Sequence, residues 1–230
     1  MDITIGWCSE FEPGWHRANL LNASRPPSLF HYHLGRVLAA AGIPLTGRII
    51  LDEDLGVGGL SRDAAVAFAA ADIAYLSSHG RMDGSTYRFR LRSGEWTPTA
   101  SPSPAGPSVL ILDTCDVASV RVLPNKTEWT QPGLPSPAVV LGFIGPATTG
   151  HAESRRGRYF AEHLAHGETF ANAWFNAIKE TQPRRRRDYA LAIGFGPTRS
   201  QARTNLDTAS LANQPACTVA DACFWRTDSK

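Results

Sequence analysis

Short apolar runs recur along the chain at residues 3–8, 48–51, 72–77, 108–113 and 138–144, each bounded by turn residues, with a sixth at 189–195. Their near-continuous hydrophobicity, without in/out alternation, is the pattern of strands buried on both faces of a mostly parallel sheet. Between them, residues 28–41 and 61–71 carry helical periodicity. The second opens on Ser61 as N-cap with an acid in its first turn, and Gly42 stops the first. Residues 155–165 and 168–180 predict two further helices split by Gly167, with Phe160, Leu164, Phe170, Trp174 and Ile178 facing the sheet. A surface hairpin is expected where residues 87–91 and 95–97 flank Ser93-Gly94, followed by a Pro-rich linker at 97–107. The fold class is therefore α/β, a three-layer α/β/α sandwich around about six strands. No internal repeat is visible.

The organisation is one domain over residues 1–196 and a tail over 197–230. The tail is polar and short of apolar periodicity until Cys223-Phe224-Trp225, so it is expected to pack on the domain or to be partly mobile. At 43 % hydrophobic residues the chain can build a sizeable core, and 20 Gly with 16 Pro keep its elements short. Net charge is only +2, and the one dense basic run, residues 184–187, has no interleaved aromatics, so a nucleic-acid partner is not expected. The start lacks a secretory signal and no apolar run approaches the ~18 residues needed to span a bilayer, which predicts a cytoplasmic protein without a membrane partner.

Four cysteines, at 8, 115, 217 and 223, fit neither a disulfide framework nor a paired zinc site, although Cys217 and Cys223 can bridge within the tail. No metal is expected: His31 and His33 point apart on a helix, and no matching ligand cluster accompanies them. Gly56-Val57-Gly58-Gly59 lacks the Lys-Ser/Thr of a phosphate loop, and Ser77-Ser78 lacks a G-x-S-x-G elbow, so a nucleotide cofactor and a serine nucleophile are set aside.

Chemistry concentrates where two strands end, at Leu76-Ser77-Ser78-His79-Gly80 and Leu112-Asp113-Thr114-Cys115. In an open α/β sheet, residues just past the carboxyl ends of neighbouring strands converge on one crevice. A thiol with an ordinary pKa near ~8.5 is mostly protonated at neutral pH, and a neighbouring imidazole makes it a competent nucleophile. Gly80, lacking a Cβ, lets its N–H approach a substrate carbonyl and, with the N–H of Cys115, form an oxyanion hole. A strand-end His or a buried Cys alone is usually structural. Their joint placement favours catalysis.

These two segments resemble the signature of the caspase-like cysteine peptidases, the group of caspases, metacaspases, paracaspases, legumain, gingipains, separase and the bacterial CHAT domains. The resemblance covers roughly residues 1–196. It extends to Val139-Val140-Leu141-Gly142-Phe143, Gly157-Arg158-Tyr159-Phe160-Ala161 and Ala173-Trp174, which look like the elements following the cysteine in bacterial caspase-like and CHAT-like proteins. It implies a caspase-like sandwich and a cofactor-free cysteine endopeptidase with His79 and Cys115 as its dyad, acting on a protein or peptide substrate. By the same resemblance Asp113 lies in the P1 pocket and selects Arg or Lys, as a carboxylate suits a guanidinium. Trp129, after the nucleophile, can wall the P1 or P2 pocket. Asp116 departs from the common pattern, and its charge beside the thiol would raise the thiol pKa. The basic run 184–187 becomes a candidate self-cleavage site. A peptide ligase or cyclase using the same dyad, and a noncatalytic interaction domain with a regulatory protein partner, are the alternatives.

Overall fold

The structure, a computed structural model, describes residues 1–7, 25–50, 67, 70–83, 86–91, 94–96, 107–114, 135–145, 155–182, 189–216, 218–219 and 222–227. Parallel strands need crossovers, and the chain supplies them in order. β1 (Asp2–Trp7) is followed by α1 (Arg25–Ala40) and β2 (Thr46–Ile50), then β3 (Ile73–Ser77), β4 (His79–Asp83), β5 (Thr86–Leu91), β6 (Gly94–Trp96), β7 (Val109–Asp113), β8 (Pro135–Ser136) and β9 (Val139–Phe143). After these come α2 (Arg156–Ala165), α3 (Phe170–Thr181), β10 (Ala190–Gly196), α4 (Arg199–Thr208), β11 (Thr218–Val219) and β12 (Ala222–Thr227).

The main sheet has seven strands in the order β12-β10-β9-β7-β3-β1-β2. β2, β1, β3, β7 and β9 run parallel, whereas β10 is antiparallel to both β9 and β12. The fold is α/β, as expected. The seventh strand comes from beyond residue 196: β12 pairs with β10, and α4 packs over both. The expected hairpin is present as β5–β6, and β4 joins it as a third strand, with His79 opposite Arg90 and Gly80 opposite Phe89. Of the helix expected at 61–71, Ala67 and Ala70 are helical and most of the segment lies outside the described residues.

Strand periodicity explains the layers. Ile3, Ile5, Ile73, Tyr75, Val109, Ile111, Val139 and Leu141 share one core with Phe30, Leu34 and Leu38 of α1, Phe160 and Leu164 of α2, Trp174 and Ile178 of α3 and Leu206 of α4, so all four of these helices cover one face. The alternate side chains Ala74, Leu76, Leu110, Leu112 and Val140 are equally buried on the opposite face, where the Thr4 hydroxyl donates to the Ala67 carbonyl (3.0 Å).

Helix ends are set locally. α1 closes in a Schellman motif on Gly42 (φ 79°), with Ile43 N–H bonding to Leu38 O and Gly42 N–H to Ala39 O. Gly167 (φ 84°) closes α2 in the same way through Glu168 N–H to His163 O and Gly167 N–H to Leu164 O. Thr169 and Thr198 cap α3 and α4 by accepting from the Asn172 and Gln201 amides. No described helix is long and apolar enough to cross a membrane.

Candidate active site

β3 and β7 are adjacent parallel strands whose last residues, Ser77 and Asp113, stand opposite each other in register. His79 therefore follows the end of β3 by the same two residues that separate Cys115 from the end of β7. The carboxyl ends of these two strands lie next to the point where strand order reverses between β1 and β3. Ser78 and Thr114, the single residues between, are both buried. His79 and Gly80 open β4, and the Gly80 backbone is partly exposed. The His79 side chain, Cys115, Asp116, Trp129 and the 184–187 run lie outside the described residues, as do Cys8 and Cys217. Cys223 sits within β12.

Asp113 is held by partners from its own chain. The residue is 5 % exposed, and both carboxylate oxygens are engaged from within the chain. Oδ1 pairs with the Arg156 guanidinium at the start of α2, and Oδ2 accepts from the Tyr75 hydroxyl at 2.7 Å. The network therefore runs from Tyr75 of β3 to Asp113 at the end of β7 and on to Arg156 of α2. Burial pushes the Tyr75 phenol pKa well above its ordinary 10.0, the Asp113 charge adds to this, and Arg156 opposes it.

Arg156 is 1 % exposed. Its guanidinium carbon lies 5.2 Å from the centre of the Phe143 ring and 5.8 Å from that of Trp174, within reach of both π faces. Trp174 is fixed in turn by its indole N–H donating to Gly142 O (3.1 Å) and by an edge-to-face contact with Phe143 at 5.6 Å. Tyr75 is held from above by Phe30 of α1, stacked at 4.3 Å. A charge buried this deeply survives only with an opposite charge and hydrogen bonds around it, and both are supplied.

The sequence reading did not single out Arg156. It sits in the run Arg155-Arg156-Gly157-Arg158, which resembles a solvated helix start. The available signal was its place at i, i+4, i+8 with Phe160 and Leu164, on the apolar stripe of α2. Among the described residues no group of three or more metal-ligating side chains comes together.

A protein-family model described as a domain of unknown function (DUF6345) matches residues 67–227, well over half of the chain. No curated protein matches it. Among solved structures, caspase-1 from Spodoptera frugiperda aligns at 15 % identity with a TM-score of 0.39, over 77 % of this chain and 76 % of that one. The structure of pro-sf-caspase-1 aligns at 10 % identity and a TM-score of 0.39, over 79 % and 83 % of the two chains.

Proposed function

This chain belongs to the DUF6345 family, a domain of unknown function, and we propose that it is a cysteine peptidase in which Cys115 is the nucleophile and His79 the proton carrier. The observation that supports this most is the register of β3 and β7: Ser77 faces Asp113, and each of the two reactive residues follows its strand by the same short step. The resemblance of the two strand-end segments to the caspase-like signature supports it independently.

The chemistry follows from the residue types. His79 takes the thiol proton as Cys115 Sγ attacks the carbonyl carbon, and the tetrahedral oxyanion is held by the N–H groups of Gly80 and Cys115. Collapse breaks the C–N bond, His79 returns the proton to the leaving amine, and a thioester remains on Cys115. Water activated by His79 then releases the acid. A peptide amine in place of water would give a ligated product by the same route.

A basic P1 preference rests on the resemblance alone. The carboxylate cast as the P1 reader already has a cation, Arg156, and a hydroxyl donor, Tyr75, so an incoming Arg or Lys would have to share or displace them.

The test is a fluorogenic peptide library varied at P1, offered to the wild type, Cys115→Ala and His79→Ala, with and without a peptide amine. Cleavage that disappears in both variants supports the proposal, and a preference for Arg or Lys that shifts in Asp113→Asn adds the pocket. Thiol alkylation is the second arm: Cys115 should react faster than Cys8, Cys217 and Cys223, and lose that advantage in His79→Ala. No cleavage together with no selective alkylation would overturn the reading in favour of a noncatalytic interaction domain.

A further inference from the structure

We infer that Arg156 is a positioning residue for the His79–Cys115 pair, acting through the buried network that locks the ends of β3 and β7 together; the inference rests on the peptidase reading. Beyond the backbone ladder, the two strands are joined near their ends by Tyr75 donating to Asp113. Arg156 pairs with Asp113 from α2, and its head is packed against Phe143 at the end of β9 and Trp174 of α3. One side chain thus references the exit of β7, and through Tyr75 the exit of β3, to the helical layer.

Energetics make the arrangement informative. Apolar side chains of similar volume at positions 113 and 156 would often be as stable as a buried ion pair, or more so. What a salt bridge with directional hydrogen bonds adds over an apolar contact is a defined geometry. Its Asp113 is two residues upstream of Cys115, and its Tyr75 is four residues upstream of His79. Nucleophile and base have to meet within hydrogen-bond reach, and misplacement by about 1 Å can cost ~100-fold in rate. A device that fixes strand ends is most valuable at this level of the sheet.

The experiment separates positioning from mere stability by reading the coupling between His79 and Cys115. Full-length wild type, Asp113→Leu/Arg156→Met, Arg156→Lys and Tyr75→Phe are each prepared with and without His79→Ala. Cys115 alkylation by iodoacetamide is followed by peptide mass spectrometry, well below each protein's Tm. In the wild type, His79→Ala should slow alkylation by about tenfold or more. In the folded apolar double variant that factor should fall to about twofold, with an intermediate value for Arg156→Lys and a smaller decrease for Tyr75→Phe. An undiminished His79 factor in the double variant, or in Arg156→Lys and Tyr75→Phe, overturns the positioning role while leaving the peptidase reading standing. Absence of any His79 factor in the wild type overturns the peptidase reading itself, and this inference with it.

Discussion

Gly157 of α2 lies directly against Phe30 of α1: a Cβ built at 157 would stand 2.4 Å from the Phe30 Cα and 2.8 Å from its carbonyl oxygen. The absence of a side chain lets the two helices touch backbone to side, and this close crossing lowers Phe30 onto Tyr75, whose hydroxyl holds Asp113. A glycine inside a helix costs about 0.5–1 kcal/mol relative to alanine, so its presence at the second residue of α2 calls for a packing reason, and the crossing provides it.

Gly157→Ala is expected to destabilise the fold despite the better helix propensity of alanine. The colliding atoms are backbone, which cannot swing aside as a flexible side chain can, and overpacking of this kind costs about 1–3 kcal/mol. Urea unfolding should show a lower midpoint with an unchanged m-value. A midpoint at or above that of the wild type would show that α1 and α2 are not in this contact.

Tyr75 gives the fold an alkaline limit. Burial, reinforced by Asp113, raises its folded pKa well above 10.0. Below pH 10 both folded and unfolded chains keep the phenol proton and the hydrogen bond contributes in full. As pH rises past 10 towards the raised folded value, the unfolded chain ionises first and stability falls, by at most ~1.4 kcal/mol per pH unit from this group. Tyr75→Phe should be less stable than the wild type at pH 8 by about 1–3 kcal/mol, because Asp113 loses a donor, yet should show a shallower decline between pH 10 and 11. Parallel slopes in the two proteins would contradict the assignment.

How much of this was legible in the sequence depends on whether the controlling interactions are local. β1, β3, β7, β9 and β10 were visible because strands buried on both faces must be apolar throughout, and Gly42 and Gly167 announced helix ends because only glycine readily takes their positive φ. β12 was missed as a strand: Ala222–Thr227 alternates poorly and mixes Arg226 with Phe224 and Trp225, so its place is decided by pairing with β10. β4 was missed because His79–Asp83 reads as a motif and not as a strand. At the site, Asp113 was singled out through the resemblance, as the residue two before Cys115, but its partner was not. Arg156 lies 43 residues away in a basic run, where only its i, i+4, i+8 spacing with Phe160 and Leu164 separates it from a solvated arginine. Short motifs locate reactive residues; what neutralises them is settled by tertiary contact.

His31 offers a test at the acid side. It sits half-buried on α1 with Nε2 against Gly47 of β2, close enough that a Cβ at 47 would fall 2.0 Å from it. Burial lowers its pKa below the ordinary 6.5. His33 is lowered as well, first by burial and then by the charges of Arg158 and Arg36, against an opposing contribution from Glu162. As pH falls below 6.5 the unfolded chain takes up protons that the folded chain resists, so these residues contribute stability above that pH and lose it on acidification. NMR titration of the imidazole signals, assigned with His33→Gln, should give midpoints below 6.5 for both. A midpoint above 6.5 for His31 would mean that its ring is solvated and not packed on Gly47.

The Arg156–Asp113 pair predicts a sign reversal in stability that a purely additive contact would not show. Asp113→Asn removes the carboxylate charge and leaves a guanidinium in a site that is 1 % exposed; breaking a buried pair from one side costs about 3–5 kcal/mol. Arg156→Met leaves the Asp113 carboxylate buried with the Tyr75 hydroxyl, and should cost a similar amount. Combining Arg156→Met with Asp113→Leu removes both charges at once, and the packing of Phe143, Trp174 and Phe30 around the site gives the new side chains apolar neighbours. The double variant should therefore recover most of either single loss, measured as ΔG of unfolding at pH 7 and low salt. Raising the salt concentration should change the wild-type value little, because a pair buried this deeply is poorly screened. Losses that simply add in the double variant would mean that the two side chains do not share one site. The register of Ser77 and Asp113 would then have to be maintained by the backbone ladder alone.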